Sequence, residues 1–218
     1  MNDNDRILLI DKPSNMTSFG VVARVRRQLS EVAGKKVKVG HCGTLDPFAT
    51  GLLILVTGKQ TKKAGEFMKK DKVYEATIRL GQVSTSGDPE GDITDVSDTQ
   101  PSKQEIEEVL SKFVGEIEQT PPMFSAIKIN GQRAYKLARK GEVVEIPKRT
   151  VTIHSLELVE YSYPELKIRT HVSSGTYIRS LAIDIGEALG TGAYCMQLRR
   201  TKIADWDVAD ATREFVIE

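Results

Sequence analysis

The sequence predicts an α+β fold, with a mixed but largely antiparallel central sheet flanked by helices. Several segments alternate apolar and polar residues with the two-residue period of half-buried strands, and others repeat apolar residues at helical spacing. The two kinds follow one another irregularly instead of as repeated strand-helix-strand units. With 218 residues the chain can bury a sizeable core without disulfides or a structural metal, and a single domain over residues 1–218 is expected.

The elements follow in order. Ser18 is a candidate N-cap for a helix whose Val21, Val22, Val25 and Leu29 keep helical spacing, with Gly34 just past its end. Leu52 to Val56 is a continuous apolar run stopped by Thr57-Gly58, and Val73 to Leu80 places Tyr74, Ala76, Ile78 and Leu80 on one face. Both read as strands. Residues 84–98, rich in Ser, Thr, Gly and Asp, read as a long loop. Ser102 with Glu105 three residues on predicts a capping box, followed by Ile106, Val109, Leu110 and Phe113 on one helix face. Residues 150–159 and 166–172 alternate as a pair of half-buried strands. A helix runs from near Tyr177 to Leu189 with Gly190 as its stop, and a last strand runs from Met196 to Ile203.

Composition excludes some classes of function. No apolar run approaches the roughly 20 residues that cross a bilayer, and no basic segment leads into a signal-peptide core, so a cytoplasmic protein without membrane contact is expected. Cys42 and Cys195 lack metal-ligand spacing and read as reduced, buried thiols. The net charge is only +1, but charge is segregated. Residues 22–40 hold six Lys/Arg against one acid, 59–72 hold six against two, and 128–149 hold seven against two. Residues 88–118 hold ten acids against two lysines. Such a pattern fits one basic face that meets phosphates and an acidic, solvated flank elsewhere.

The densest punctuation is Gly40-His41-Cys42-Gly43-Thr44-Leu45-Asp46-Pro47-Phe48-Ala49-Thr50-Gly51-Leu52-Leu53. Asp46 could simply cap a helical turn that begins at Pro47, with the glycines serving backbone bends. Alternatively, the loop holds His41 and Asp46 ahead of a rigid strand, which is how a scaffold presents a reactive group. A hydrolase using His41 and Asp46 lacks a second acid or nucleophile at informative spacing.

This loop resembles the catalytic loop of the TruB family of tRNA pseudouridine synthases. The resemblance continues through Asp11-Lys12-Pro13, Met16-Thr17-Ser18, Lys72-Val73-Tyr74-Glu75-Ala76, Gln119 to Ala126, Ser174 to Leu181 and Leu198-Arg199-Arg200-Thr201, nearly the whole chain. It implies the pseudouridine synthase fold with a thumb insertion at about 123–149, while the further C-terminal, PUA-like RNA-binding domain of most family members is not expected, because the sequence ends at Glu218, soon after Leu198 to Thr201. It also implies a tRNA pseudouridine synthase that isomerises the T-loop uridine at position 55 by base flipping, with Asp46 as nucleophile and neither metal nor cofactor. By the same match Arg179 pairs with the catalytic aspartate and Tyr74 stacks on the target base. Tyr177 and Leu198 border the uridine pocket, and His41 sits beside the flipped base. Lys128, Arg133, Lys136, Arg139 and Lys140 would contact RNA backbone from the thumb. The partner would be the T stem-loop of tRNA, met by a monomer without an obligate protein partner. A guide-RNA-dependent synthase and a tRNA-folding chaperone are the competing readings.

Overall fold

The computed structural model describes residues 5–125, 127–129, 131–134, 137 and 145–213. In chain order its elements begin β1 (Ile7–Lys12), α1 (Ser18–Ala33), β2 (Val39–His41), β3 (Thr50–Thr57), α2 (Ala64–Met68) and β4 (Lys72–Leu80). There follow β5 (Gln82–Ser84), β6 (Ile93–Asp95), α3 (Lys103–Lys112), β7 (Gly115–Gln119), β8 (Lys128–Ile129) and β9 (Gln132–Arg133). The last are β10 (Arg149–Ser162), β11 (Glu165–Val172), α4 (Ile178–Ala188), β12 (Ala193–Ile203) and β13 (Trp206–Asp207). The α+β class and the mixed, mainly antiparallel sheet are as the sequence predicts. The chain divides into two compact units, one from Met1–Glu75 with Leu198–Glu218 and the other from Ala76–Gln197.

In the first unit β3 is central. It pairs antiparallel with β1 and β2 and parallel with β12, where Arg199 lies opposite Thr50 and Arg200 opposite Gly51. One face of the sheet carries Ile10, Leu53 and Leu55 against Val21, Val22, Val25 and Leu29 of α1. The opposite face carries Leu52, Ile54 and Val56 with Cys42 and Ile203, and Phe67 and Trp206 pack there edge to face at 5.6 Å. Because β3 is covered on both faces, its sequence is continuously apolar instead of alternating. Each fully buried aliphatic side chain of α1 contributes about 1.5 to 3 kcal/mol relative to exposure.

The start of α1 corrects the sequence reading by one residue. Thr17 is the N-cap, its hydroxyl accepting from the Gly20 N–H at 2.9 Å, while Ser18 begins the helix and turns inward. Gly34 closes α1 in the left-handed region at φ 61°, as expected.

In the second unit the strand order is β12, β4, β11, β10, β7. The two alternating segments pair antiparallel as β10 and β11, with Leu166, Ile168, Thr170 and Val172 all buried. The Ser102–Glu105 capping box is present at α3, and α4 buries Ile178, Leu181, Ala182 and Ile185, with Gly190 just beyond it at φ 68°. Two expectations change here. Residues 84–98 are not one loop, because β5 and β6 pair as a hairpin with Val83 opposite Thr94. The last strand begins at Ala193, three residues earlier than the sequence indicates. Among the described residues no helix is long and apolar enough to cross a membrane.

Candidate active site

In the first unit Asp46 lies in the connection between β2 and β3 and is half-buried. The cap reading of this residue fails. No helix begins at Pro47, and the backbone carbonyl of Asp46 instead closes a tight turn by accepting from the Ala49 N–H at 3.2 Å. The residues on either side of it are held by groups from the segment joining β1 to α1. The Ser18 hydroxyl accepts from the Leu45 N–H at 2.8 Å and donates to the Leu45 carbonyl at 2.9 Å. The Pro47 carbonyl accepts from the Asn15 N–H at 2.9 Å and from Lys12 Nζ at 3.1 Å. Lys12 is fully buried, and its ammonium also donates to the carbonyls of Pro13 and Met16 at 2.8 and 2.7 Å. A buried ammonium is tolerated because its donors meet acceptors.

The base of the loop is tied to β12. Arg200, 1% exposed, donates from Nε to the Leu52 carbonyl at 2.8 Å and from Nη2 to the Gly43 carbonyl at 3.1 Å. Gly51 stands at φ 101°, where a β-carbon would lie 2.3 Å from the Arg200 carbonyl oxygen, so the parallel strand can approach only a glycine. His41 ends β2, half-buried and opposite Leu55. Tyr74 is buried on β4, and the Leu198 carbonyl accepts from the Thr50 hydroxyl at 3.5 Å.

Next to the loop, Asp11 receives both terminal nitrogens of Arg199 at 2.9 Å each and Nε of Arg213 at 2.9 Å. Burial raises the Asp11 carboxyl, but the hydrogen bonds and charges of Arg199 and Arg213 outweigh it and hold the group below the usual carboxylate range. Cys42, fully buried, has its thiol pushed up to about 11 by burial, against a smaller opposing effect of the Arg200 charge, and so lacks thiolate character.

In the second unit Arg179 sits in the first turn of α4, where the helix dipole disfavours a cation and a compensating group is expected. That group is present. Arg179 Nη1 donates to Asp88 Oδ2 and to the Ser86 carbonyl, both at 2.9 Å, and Nη2 donates to the Phe124 carbonyl at 2.7 Å. Asp88 Oδ1 accepts from the Ser86 hydroxyl at 2.5 Å and from the Glu90 N–H at 3.0 Å. Gly87 stands between them at φ 74°, where a β-carbon would press on Ile183.

Tyr177 is the N-cap residue of α4, and the fully buried Gln119 side chain pairs with its backbone twice. Gln119 Oε1 accepts from the Tyr177 N–H at 2.8 Å and Nε2 donates to the Tyr177 carbonyl at 3.0 Å. The Arg149 guanidinium lies 4.7 Å from the centre of the Tyr177 ring and donates to the Gly175 carbonyl.

Of the residues named from sequence, Asp46, His41, Tyr74 and Leu198 thus belong to the first unit and Tyr177 and Arg179 to the second. Lys128 and Arg133 fall on the two-residue strands β8 and β9, which pair with each other, while Lys136, Arg139 and Lys140 lie outside the described residues. Sequence reading did not single out Lys12, Ser18, Asp88, Gln119 or Arg200 for a part in the site. Asp88 in particular sits in an acidic stretch that reads as solvated flank, and nothing in its spacing marks it as buried.

Residues 27–178 match the model of the TruB family pseudouridylate synthase N-terminal domain, and residues 179–216 match the tRNA pseudouridylate synthase B C-terminal domain. The tRNA pseudouridine synthase B of Phocaeicola vulgatus is 50% identical over 206 residues, covering 94% of this chain and 88% of that protein. The protein of the same description from Azoarcus is 47% identical over 207 residues, covering 95% of this chain and 67% of that one. Among solved structures, a chain from a Cbf5-Nop10-Gar1 complex superposes with a TM-score of 0.69 at 30% identity. That match covers 92% of this chain but spans only 49% of the solved one. By these matches, along nearly its whole length, the chain belongs to the TruB family of pseudouridylate synthases.

Proposed function

We propose that the chain is a tRNA pseudouridine synthase that isomerises the T-loop uridine at position 55, with Asp46 acting on the reacting nucleoside and no cofactor. The observation that carries this reading is the 50% identity, over 94% of the chain, to a protein described as tRNA pseudouridine synthase B. The chemistry is an isomerisation. The bond from ribose C1′ to uracil N1 breaks, the base turns while held, a bond from C1′ to C5 forms, and the proton lost from C5 is balanced by one gained at N1. No atoms or electrons are gained or lost overall, so a carboxylate and a water-excluding pocket suffice.

In this reading Arg179 is a catalytic residue beside Asp46 in function, Tyr74 stacks on the target base, and Tyr177 and Leu198 are uridine-binding residues. His41 lies beside the extruded nucleotide. Extruding the base costs a few kcal/mol. Stacking offsets part of that, by about 1 to 3 kcal/mol per base. Lys128, Arg133, Lys136, Arg139 and Lys140 supply salt-sensitive backbone contacts that set register without reading sequence. The enzyme works in the cytoplasm as a monomer without an obligate protein partner. A guide-RNA-dependent synthase is not favoured, given the 50% identity to a protein described as tRNA pseudouridine synthase B.

The test is pseudouridine formation in an unmodified tRNA transcript, with purified wild-type protein and with Asp46→Asn, read by a pseudouridine-specific chemical probe. Product at position 55 with wild type alone supports the reading. Binding without product from either protein overturns it in favour of an RNA-folding chaperone or a partner-dependent enzyme.

A further inference from the structure

We propose that Ser18 is a positioning residue for the reaction, setting the Leu45 peptide and through it the place of Asp46. The inference rests on Asp46 being the reacting carboxylate. Ser18 is the first residue of α1 and its side chain is buried. The cap role at this helix end is already filled by Thr17, so the Ser18 hydroxyl is available for another task. It uses its one donor and an acceptor lone pair on one distant residue, donating to the Leu45 carbonyl at 2.9 Å and accepting from the Leu45 N–H at 2.8 Å.

Binding both backbone groups of Leu45 removes the freedom of that residue to rotate about its own dihedrals. Leu45 immediately precedes Asp46, and its side chain is buried as well. Ser18 is in turn carried by a 16-residue helix whose inner face, Val21, Val22, Val25 and Leu29, packs on the sheet. The position of Asp46 is therefore referenced to the core of its unit and not to a loop of small residues. On the far side the Pro47 carbonyl is held by Asn15 and Lys12, so removing Ser18 releases one side of a two-sided hold. The Ser18 hydroxyl is turned to Leu45 and has no place in the proposed stacking or backbone contacts. Its loss should therefore act on the chemical step and leave RNA binding intact.

The experiment measures kcat and KM on the unmodified tRNA transcript, the tRNA Kd by fluorescence anisotropy, and Tm. It compares wild type with Ser18→Ala, Ser18→Cys, Leu29→Ala and Asp46→Asn. The expected result for Ser18→Ala is a kcat lower by about 10- to 100-fold, with KM and Kd changed by less than about twofold. Ser18→Cys, similar in size but a weaker hydrogen-bonding group, should fall between Ser18→Ala and wild type. Leu29→Ala weakens the same helix from its far half and should lower Tm while keeping kcat. The proposal is overturned if Ser18→Ala keeps wild-type kcat, or if Leu29→Ala loses as much kcat as Ser18→Ala does. Should Ser18→Ala fail to fold, a wild-type kcat in Ser18→Cys overturns it equally. Full activity in Asp46→Asn would instead defeat the reading of Asp46 on which the proposal stands.

Discussion

Arg179 and Asp88 form an ion pair with a 2.9 Å contact in which the two side chains are only 3% and 4% exposed. An ion pair so far from water is held by the further hydrogen bonds of both partners. The guanidinium also meets the carbonyls of Ser86 and Phe124, and the carboxylate also receives the Ser86 hydroxyl and the Glu90 N–H.

Asp88→Ala is expected to destabilise the protein by about 3 to 5 kcal/mol, since it takes a hydrogen-bonded carboxylate away from a buried guanidinium. Urea unfolding followed by circular dichroism checks this. A loss below about 1 kcal/mol, the range of an exposed pair, would mean that solvent reaches the guanidinium after all.

The doubly paired Gln119 side chain gives a second expectation. Gln119→Leu leaves the Tyr177 N–H without its partner at the start of α4, at about 1 to 3 kcal/mol where that group stays buried, while the Tyr177 carbonyl keeps the Leu181 N–H at 3.1 Å. Gln119→Glu keeps the acceptor but puts a carboxyl at a fully buried position, so its melting temperature should approach that of wild type only toward acidic pH, where the carboxyl is protonated and can again donate.

Gly51→Ala tests the approach of β12 to β3. The φ of 101° alone costs a side chain about 1 to 3 kcal/mol, and the added β-carbon would sit 2.3 Å from the Arg200 carbonyl oxygen. The strands must part, so the variant should be recovered largely as insoluble or molten protein. A soluble variant with wild-type Tm would show that the pairing of Arg200 with Gly51 is not close.

Two carboxyl groups titrate in opposite senses. Asp11, lowered by Arg199 and Arg213, stabilises the fold when ionised, fully above the unfolded value near pH 4, and loses that contribution as pH falls through its lower folded value. Asp11→Asn should therefore cost stability at pH 7, and the difference from wild type should close toward pH 2. Asp184, pushed up to about 6 by burial and by the Glu187 charge, with Lys148 opposing, costs stability once it is ionised in the fold. Asp184→Asn should raise Tm at pH 7, with the gain shrinking as pH falls from 6 to 4. Melting curves across pH for both variants decide, and an Asp184→Asn gain that does not depend on pH would rule out this origin.

Much of the fold was legible because periodicity reports burial directly. The strand at Tyr74 to Leu80, the paired β10 and β11, the capping box at Ser102 and the inward faces of α1 and α4 all stand where the pattern puts them. The N-cap of α1 is ambiguous in the sequence because Thr17 and Ser18 are both good caps, and only the distant Leu45 decides between them. The β5–β6 hairpin is hard to tell from a loop in the sequence because three-residue strands of polar composition carry little alternation.

By itself the sequence determined the class of the fold, the order of its main elements, the membership of the family and the loop that presents Asp46. Those follow from local pattern and from a long motif. Only the tertiary structure decided what holds that loop and what balances Arg179. Ser18 reaches Leu45 across 27 positions and Arg179 reaches Asp88 across 91. Pairs so far apart meet by the folding of the backbone, and no spacing in the chain announces them.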